Sequence, residues 1–346
     1  AVNTTGANNT SVGATSLCSN TTGASNVAMG RNSLPANTTA TGNTAIGAFS
    51  LNANTTGANN VAVGWQALTA NTTGSNNTSL GCGSLIDNTT GQQNTAIGTC
   101  ALKSVVTGSE NTGVGFGTMD SAVTGSGNAA FGYSNMTSLT SGSANTSGGN
   151  ASSAALTTGS DNTTFGANSG ISLSTGSNNL LLGHDAGRAG SPGGAVSTAS
   201  NQVVLGDENI SALFCADTSI SSSDLRDKTD IEDFTHGLDF VTKLNPKTYR
   251  WDKRAWYISE NGSLQDFVDA TPDGSKKKNK KHIGFLAQDV LALEKEIGFS
   301  NSKDDMLVVN QTEDETQYGL KYERLVPVLV NAIKELKAEI DELKNK

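Results

Sequence analysis

The apolar positions of the first half of the chain fall on a fixed beat. Segments of the form Asn-x-x-apolar-Gly recur as NTSVG (9–13), NVAMG (26–30), NTAIG (43–47), NVAVG (60–64), NTSLG (77–81) and NTAIG (94–98). They continue as NTGVG (111–115), NAAFG (128–132), NTSGG (145–149), NTTFG (162–166) and NLLLG (179–183). Their glycines, Gly13 to Gly183, stand seventeen residues apart in eleven copies without one insertion. Leucine follows four residues after the glycine from Leu17 to Leu102, and Met119 and Met136 then take its place. A Thr-Gly or Ser-Gly pair keeps the same beat, and Ala40 alone departs from it.

An unbroken short period means that each copy is one structural unit stacked on the next. Seventeen residues with two glycine turns and alternating β-branched positions fit one coil of a β-solenoid or β-roll. Disorder, the usual reading of Asn/Thr/Gly-rich sequence, puts no constraint on spacing and is set aside on that ground. Glycine is expected to supply the positive φ at each corner. Apolar residues at one phase should stack into a strip, and asparagines at one phase into in-register amide ladders. At about 4.8 Å per coil the copies give a rod of about 50 Å. Two or three inward side chains per coil make a thin core, so lateral association as a parallel homotrimer is expected. Beyond Met136 the leucine position becomes Ser153, Gly170 and Gly187, where the core should narrow or change partner.

The beat stops after residue 183. AGSPGGA (189–195) reads as a loop, and 201–214 as short strands turning at Gly206-Asp207. From there the pattern is mixed. Phe234, Leu238, Val241 and Leu244 lie at helical spacing within 231–244. KTYRW (247–251) reads as a strand after Pro246, and HIGFLAQDVLALEKEIG (282–298) as a strand running into an amphipathic helix. In 322–346, Val326, Leu329, Ile333, Leu336, Ile340 and Leu343 alternate at three and four residues, a short heptad seam. Pro327 fits only its first turn or a kink. β-Branched residues alternating with leucine favour two strands in parallel peptides, so the seam by itself does not argue for three. The plain alternative is an amphipathic helix packed on its own domain.

Charge divides the chain at the same place. The protein has 346 residues and a formal charge of −9, which points to neither nucleic acid nor an anionic membrane as partner. Residues 1–223 hold only eleven charged side chains, so most of the 23 Lys/Arg and 32 Asp/Glu crowd into the last 123 residues. The basic loop GSKKKNKKH (274–282) reads as solvated rather than as a nucleic-acid patch. Cys18, Cys82, Cys100 and Cys215 are scattered, so neither a disulfide framework nor a metal site is expected, and no cofactor is implied. No apolar run reaches the length of a membrane span, and no leader is recognisable at Ala1. Asn-x-Ser/Thr triplets, as at Asn3, Asn9 and Asn20, are expected by chance in this composition.

Two resemblances sharpen the reading. The repeats resemble trimeric-adhesin heads and the NTAIG…L…NTTG repeats found beside tail-fibre chaperones, a resemblance that implies either a β-roll or a trimeric β-prism of intertwined chains. The segments SDLRDKTDIEDFTHGLDFVTKLNPKTYRW, HIGFLAQDV and YERLVPVLVNAIKEL together resemble the endosialidase-type intramolecular chaperone of phage tail spikes and fibres, over about 223–346. The resemblance implies a chaperone that trimerises, guides folding of the upstream fibre and then cuts itself off between Ser223 and Asp224. It implies a serine–lysine dyad of Ser223 and Lys228, with Arg226 and Gln288 as supporting motif residues. Without it, SSSD (221–224) would read as a helix cap.

The expected organisation is mainly β: repeats over 1–183, transition strands and cleavage linker over 184–223, and a small α+β chaperone over 224–346 ending in a coiled-coil helix. The expected function is a virion tail fibre or spike that binds a host cell-surface receptor, a glycan or a surface protein, without membrane insertion. A cellular surface adhesin with the same chaperone is the alternative. A polysaccharide-degrading spike ranks third, because Asp87, Glu110, Asp120 and Asp161 are the only acidic residues in the repeats and do not gather at one phase.

Overall fold

In the computed structural model, residues 2–210, 225–258, 264–312 and 315–346 are described. The chain divides into two compact units, Ala1–Asn209 and Ile210–Lys346.

The first unit is a parallel β-solenoid. Each copy contributes one three-residue strand: β1 (Thr10–Val12), β2 (Val27–Met29), β3 (Thr44–Ile46), β4 (Val61–Val63), β5 (Thr78–Leu80) and β6 (Thr95–Ile97). Then follow β7 (Thr112–Val114), β8 (Ala129–Phe131), β9 (Thr146–Gly148), β10 (Thr163–Phe165), β11 (Leu180–Leu182) and β12 (Val203–Leu205). They form one twelve-stranded sheet in chain order. Each residue pairs with the one seventeen further on, as Thr44 with Val61. Every coil therefore bonds to the next coil of its own chain, which is a solenoid and not an intertwined prism. The series runs one strand past the eleven sequence copies: Leu180 pairs with Val203, so the last coil is six residues longer and holds the predicted loop 189–195.

Two asparagine columns knit the coils. In the first, Asn9 to Asn179, each Oδ1 up to Asn162 accepts the backbone N–H of the asparagine one coil on, at 2.9–3.1 Å, and that of Asn179 accepts the N–H of Gln202. Each Nδ2 donates to the carbonyl fourteen residues ahead, at 2.8–3.0 Å along the regular coils. Burying an amide is tolerable only with such partners. In the second column, each Nδ2 of Asn20, Asn37, Asn54, Asn71 and Asn88 reaches the Oδ1 of the asparagine one coil back. Asn20 is thus 1% exposed inside a ladder, so its Asn-x-Thr triplet is a structural element and not a surface acceptor.

The glycines act differently from the corner role expected of both. The column Gly13 to Gly183 does sit at positive φ, between 108° and 145°. The column of Gly57 has no such φ; a Cβ at Gly57 would lie 2.2 Å from the carbonyl oxygen of Gly74. Close coil approach, not backbone freedom, demands glycine there. Other corners use ordinary residues: Leu17 to Ser153, the leucine column, hold φ between 47° and 53°. Left-handed backbone costs an L-residue about 1–2 kcal/mol, whereas burying a leucine returns about 1.5–3 kcal/mol. Packing wins.

The core begins to change partner before the leucine column fails and completes the change where it does. Val105, Val123, Leu139, Leu156 and Leu173 replace the second asparagine column and are fully buried. As the leucine column shrinks to Ser153, Gly170 and Gly187, the middle strand position grows from Ala130 through Thr164 to Leu181. A Cβ on Gly170 would meet Thr164 Cγ2 at 2.9 Å and Leu181 Cδ1 at 3.1 Å, so the space is already filled.

The second unit is small and α+β. It contains α1 (Leu238–Val241), β13 (Lys247–Tyr249), α2 (Leu264–Asp269), β14 (His282–Gly284) and α3 (Ala287–Glu296). They are followed by β15 (Val309–Gln311), β16 (Tyr318–Leu320) and the terminal helix α4 (Leu325–Lys344). Antiparallel pairs β13–β14 and β15–β16 flank a core of Phe240, Val290, Leu293, Val308, Val309, Leu325 and Val328. The predicted strand-to-helix run and terminal helix are both present. The helical spacing in 231–244 overstates the helix, which has one turn, Leu238–Val241. Phe234 instead packs against that core and against the ring of Phe299 from an irregular segment, and Gly237 stops helix from extending backward.

Candidate functional site

Ser223 and Asp224, and the SSSD segment to which they belong, lie outside the described residues, as does Cys215. Immediately beyond them the chain makes a 3-10 turn, Leu225–Asp227, and the N–H of Lys228 closes it on the Leu225 carbonyl at 3.3 Å. Arg226 and Lys228 are both exposed. Gln288 is exposed in the first turn of α3. The turn shortens the path from Leu225 to Lys228, which the sequence spacing alone does not do.

The hinge leads into a segment gripped by α4. Asn331 Nδ2 donates to the carbonyl of Phe234 at 2.5 Å, and one turn on, Glu335 Oε2 accepts the N–H of Leu238 at 2.6 Å. Between them, Gly237 lies so close that a Cβ would fall 2.6 Å from the Ala332 nitrogen. His236 Nδ1 and Asp239 Oδ2 are 2.9 Å apart, and Asp239 also accepts the Gly237 N–H at 3.0 Å. The His236 hydrogen bond, with those from backbone N–H groups, holds the Asp239 carboxyl below the usual carboxylate range against the small effect of burial.

A second grip involves the GFLA segment. Tyr322 Oη accepts the N–H of Phe285 at 3.0 Å, and a Cβ on Gly284 would lie 2.5 Å from that oxygen. Desolvation raises the pKa of the neighbouring Tyr249 phenol, and Tyr322 adds to the effect. Sequence reasoning missed the most enclosed group of the unit, Glu294. Its fully buried carboxylate accepts N–H bonds from Leu307 at 3.2 Å, Val308 at 2.7 Å and Val309 at 3.0 Å, and the Ser300 hydroxyl donates to it as well. An acidic residue on the inner face of an amphipathic helix was its only signal.

The lysine loop is exposed but tethered. Lys278 Nζ sits 4.7 Å from the Trp256 ring centre and Lys276 Nζ 5.2 Å from that of Tyr257. Cys18, Cys82 and Cys100 are free. Among the described residues no three His, Cys, Asp or Glu side chains gather in a way that could hold a metal ion, and no helix is long and apolar enough to cross a membrane.

A parallel β-solenoid of stacked coils is thus followed in the chain by a compact α+β unit. Residues 223–299 match the family described as chaperone of endosialidase, so this chain carries an endosialidase-type chaperone behind a parallel β-solenoid. The match opens on Ser223 and closes before α4, which Asn331, Glu335 and Gly237 tie to the matched segment. No curated protein and no solved structure matches the chain.

Proposed function

We propose that this chain is a phage-like tail fibre or spike protein, whose chaperone assembles three copies and is then released by cleavage between Ser223 and Asp224. The observation that carries the reading is the order of the parts: the chaperone match begins at Ser223, after the last solenoid strand, β12, has ended at Leu205. Long parallel stacks fold slowly and expose edges, so a small module that gathers three chains and sets their register speeds nucleation. Removing it afterwards makes the assembly kinetically hard to reverse. The α4 seam suits this role, since Val326, Leu329, Ile333, Leu336, Ile340 and Leu343 are all exposed in the single chain. In a parallel assembly Glu339 and Lys344 occupy the flanking positions that pair between neighbours. The solenoid would be the part that meets a host-surface receptor in the virion.

Lysine acts as a general base where burial or nearby cations favour its neutral form. Lys228 is exposed in the single chain, and in this reading neighbouring chains enclose it on assembly. Attack of Ser223 on its own carbonyl would close a four-membered ring. The attacking oxygen therefore comes from water or from another chain, or the hydroxyl serves in another role. Glycan cleavage within the regular repeats (1–183) is disfavoured: Glu110 and Asp161 do share a column, yet they stand three coils apart, about 14 Å, beyond the roughly 5–9.5 Å that a carboxylate pair needs.

Mass spectrometry of purified protein tests the reading. Three of the 23 Lys/Arg and eight of the 32 Asp/Glu precede Asp224, so the released piece should have 123 residues and a formal charge of −4. A soluble assembly that remains at the full 35.4 kDa per chain would remove the release step.

A further inference from the structure

The outward side of the solenoid sheet has no partner among the described residues of its own unit. Most strands turn their first and third residues outward, a threonine or aliphatic residue beside a large apolar one. Met29, Ile46, Leu80, Ile97, Phe131 and Phe165 are each 38–45% exposed. None of the outward positions from β1 to β12 carries a charge. Twelve strands of three residues span about 50 Å by 10 Å, a flat patch of about 500 Å². That lies at the upper end of what a lone soluble chain exposes.

We propose that this face is the seam along which the repeats of three parallel copies pack, coil level against coil level; the inference rests on the homotrimer reading above. The occupant must carry the same rise per coil, or its side chains drift out of step within a few strands. A second copy of this chain meets that condition at all twelve levels. The pattern of sizes fits three identical faces meeting around an axis. Phe131 and Phe165 flank Gly148, where a Cβ would lie 2.5 Å from the Phe165 ring, so the ring already occupies the missing side chain's place. Bulky levels are thus separated by one that contributes no side chain, which gives converging phenyl rings room. The patch alone is smaller than the about 800 Å² per partner of a standard interface. During assembly the α4 seam supplies a second contact, and after release the packed repeats persist kinetically.

Met29 reports on the seam directly. Hydrogen peroxide is applied to the intact full-length assembly, and sulfoxide formation at each methionine is followed by peptide mass spectrometry. Met119 and Met136, fully buried within the coil, serve as protected standards. Met29 should react about ten-fold more slowly than in urea-unfolded chain, and Ile46→Asp, one coil away on the same face, should abolish that protection. The control Thr73→Glu, on an exposed corner off the sheet, should leave Met29 protected. A wild-type trimer whose Met29 oxidises at the unfolded rate would overturn the seam while leaving the homotrimer intact. A wild-type chain that sediments as a monomer would instead refute the homotrimer reading, and the seam with it.

Discussion

Asn88 ends an amide ladder because the residue seventeen further on is Val105. Its Nδ2 donates to Asn71 Oδ1 at 3.0 Å and to the Gly91 carbonyl at 3.1 Å, but its own Oδ1 is buried without a hydrogen-bond partner among the described residues. Val105 supplies apolar contact where the series would require a donor. Asn54 differs: it donates to Asn37 Oδ1 and Gly57 O, and accepts from Asn71.

The two asparagines should therefore respond unequally. Asn54→Leu strands groups on both sides of the ladder, whereas Asn88→Leu removes an unpaired oxygen as it breaks one rung. Asn54→Leu should cost about 1–3 kcal/mol more than Asn88→Leu in denaturant unfolding. Equal losses would mean that the ladder bonds contribute little to stability.

Ala40 marks a strained coil. Thr38 N–H to Thr55 O is 3.3 Å there, against 2.9 Å for Thr21 to Thr38, and Asn54 to Asn37 stretches to 3.4 Å. A methyl wedged between coils accounts for both. Ala40→Gly should leave stability unchanged or slightly higher despite the usual glycine penalty of about 0.5–1 kcal/mol. Gly57→Ala should cost about 1–3 kcal/mol by overpacking. A thermal melt of each variant gives the comparison.

Glu294→Ala should unfold the C-terminal unit first. It leaves three buried N–H groups around β15 without their acceptor, at about 1–3 kcal/mol each and not strictly additively. Hydrogen exchange should rise in 307–309 while the solenoid amides stay protected. Uniform exchange across both units would contradict this.

At acid pH the His236–Asp239 contact should fail. Asp239 has a folded pKa below its ordinary 3.8, so its contribution is present above that value and is lost as pH falls through the lower folded one. The carboxylate is largely exposed, so the effect is small. Asp239→Asn should flatten the stability profile below about pH 4, read by chemical unfolding at several pH values.

Ser223→Ala and Lys228→Ala should each leave a full-length chain that still assembles, since folding precedes the cut. Lys228→Arg should also fail to cut, because a guanidinium stays protonated. Normal release from the Ser223→Ala chain would return SSSD to the helix-cap reading. Electrophoresis under denaturing conditions, paired with sedimentation, separates these outcomes.

Much of the architecture could be read from spacing, because a solenoid translates one coil into one sequence period. The change of core partner after Met136 is legible for the same reason. Leucines at left-handed φ were not, since nothing in a leucine's propensity predicts a backbone whose strain its own burial offsets. The short α1 shows the opposite error: Phe234 and Leu238 have helical spacing but reach one core from different backbone conformations. For the hinge, motifs could nominate Ser223 and Lys228, whereas the grips of Asn331 and Glu335 depend on contacts across about a hundred residues. The 3.6-residue pattern of α4 does not encode them.

A perfectly periodic rod would have an addressing problem. With identical coils, a stack that looped out one copy would match every remaining neighbour as well as the true one. Gly148 and Phe165 remove that degeneracy. With coil nine omitted, Phe165 would face Phe131, and the ring that now lies over an empty position would meet another ring. The same irregularities that weaken individual coils thus number them, and the chain can tell its ninth turn from its eighth.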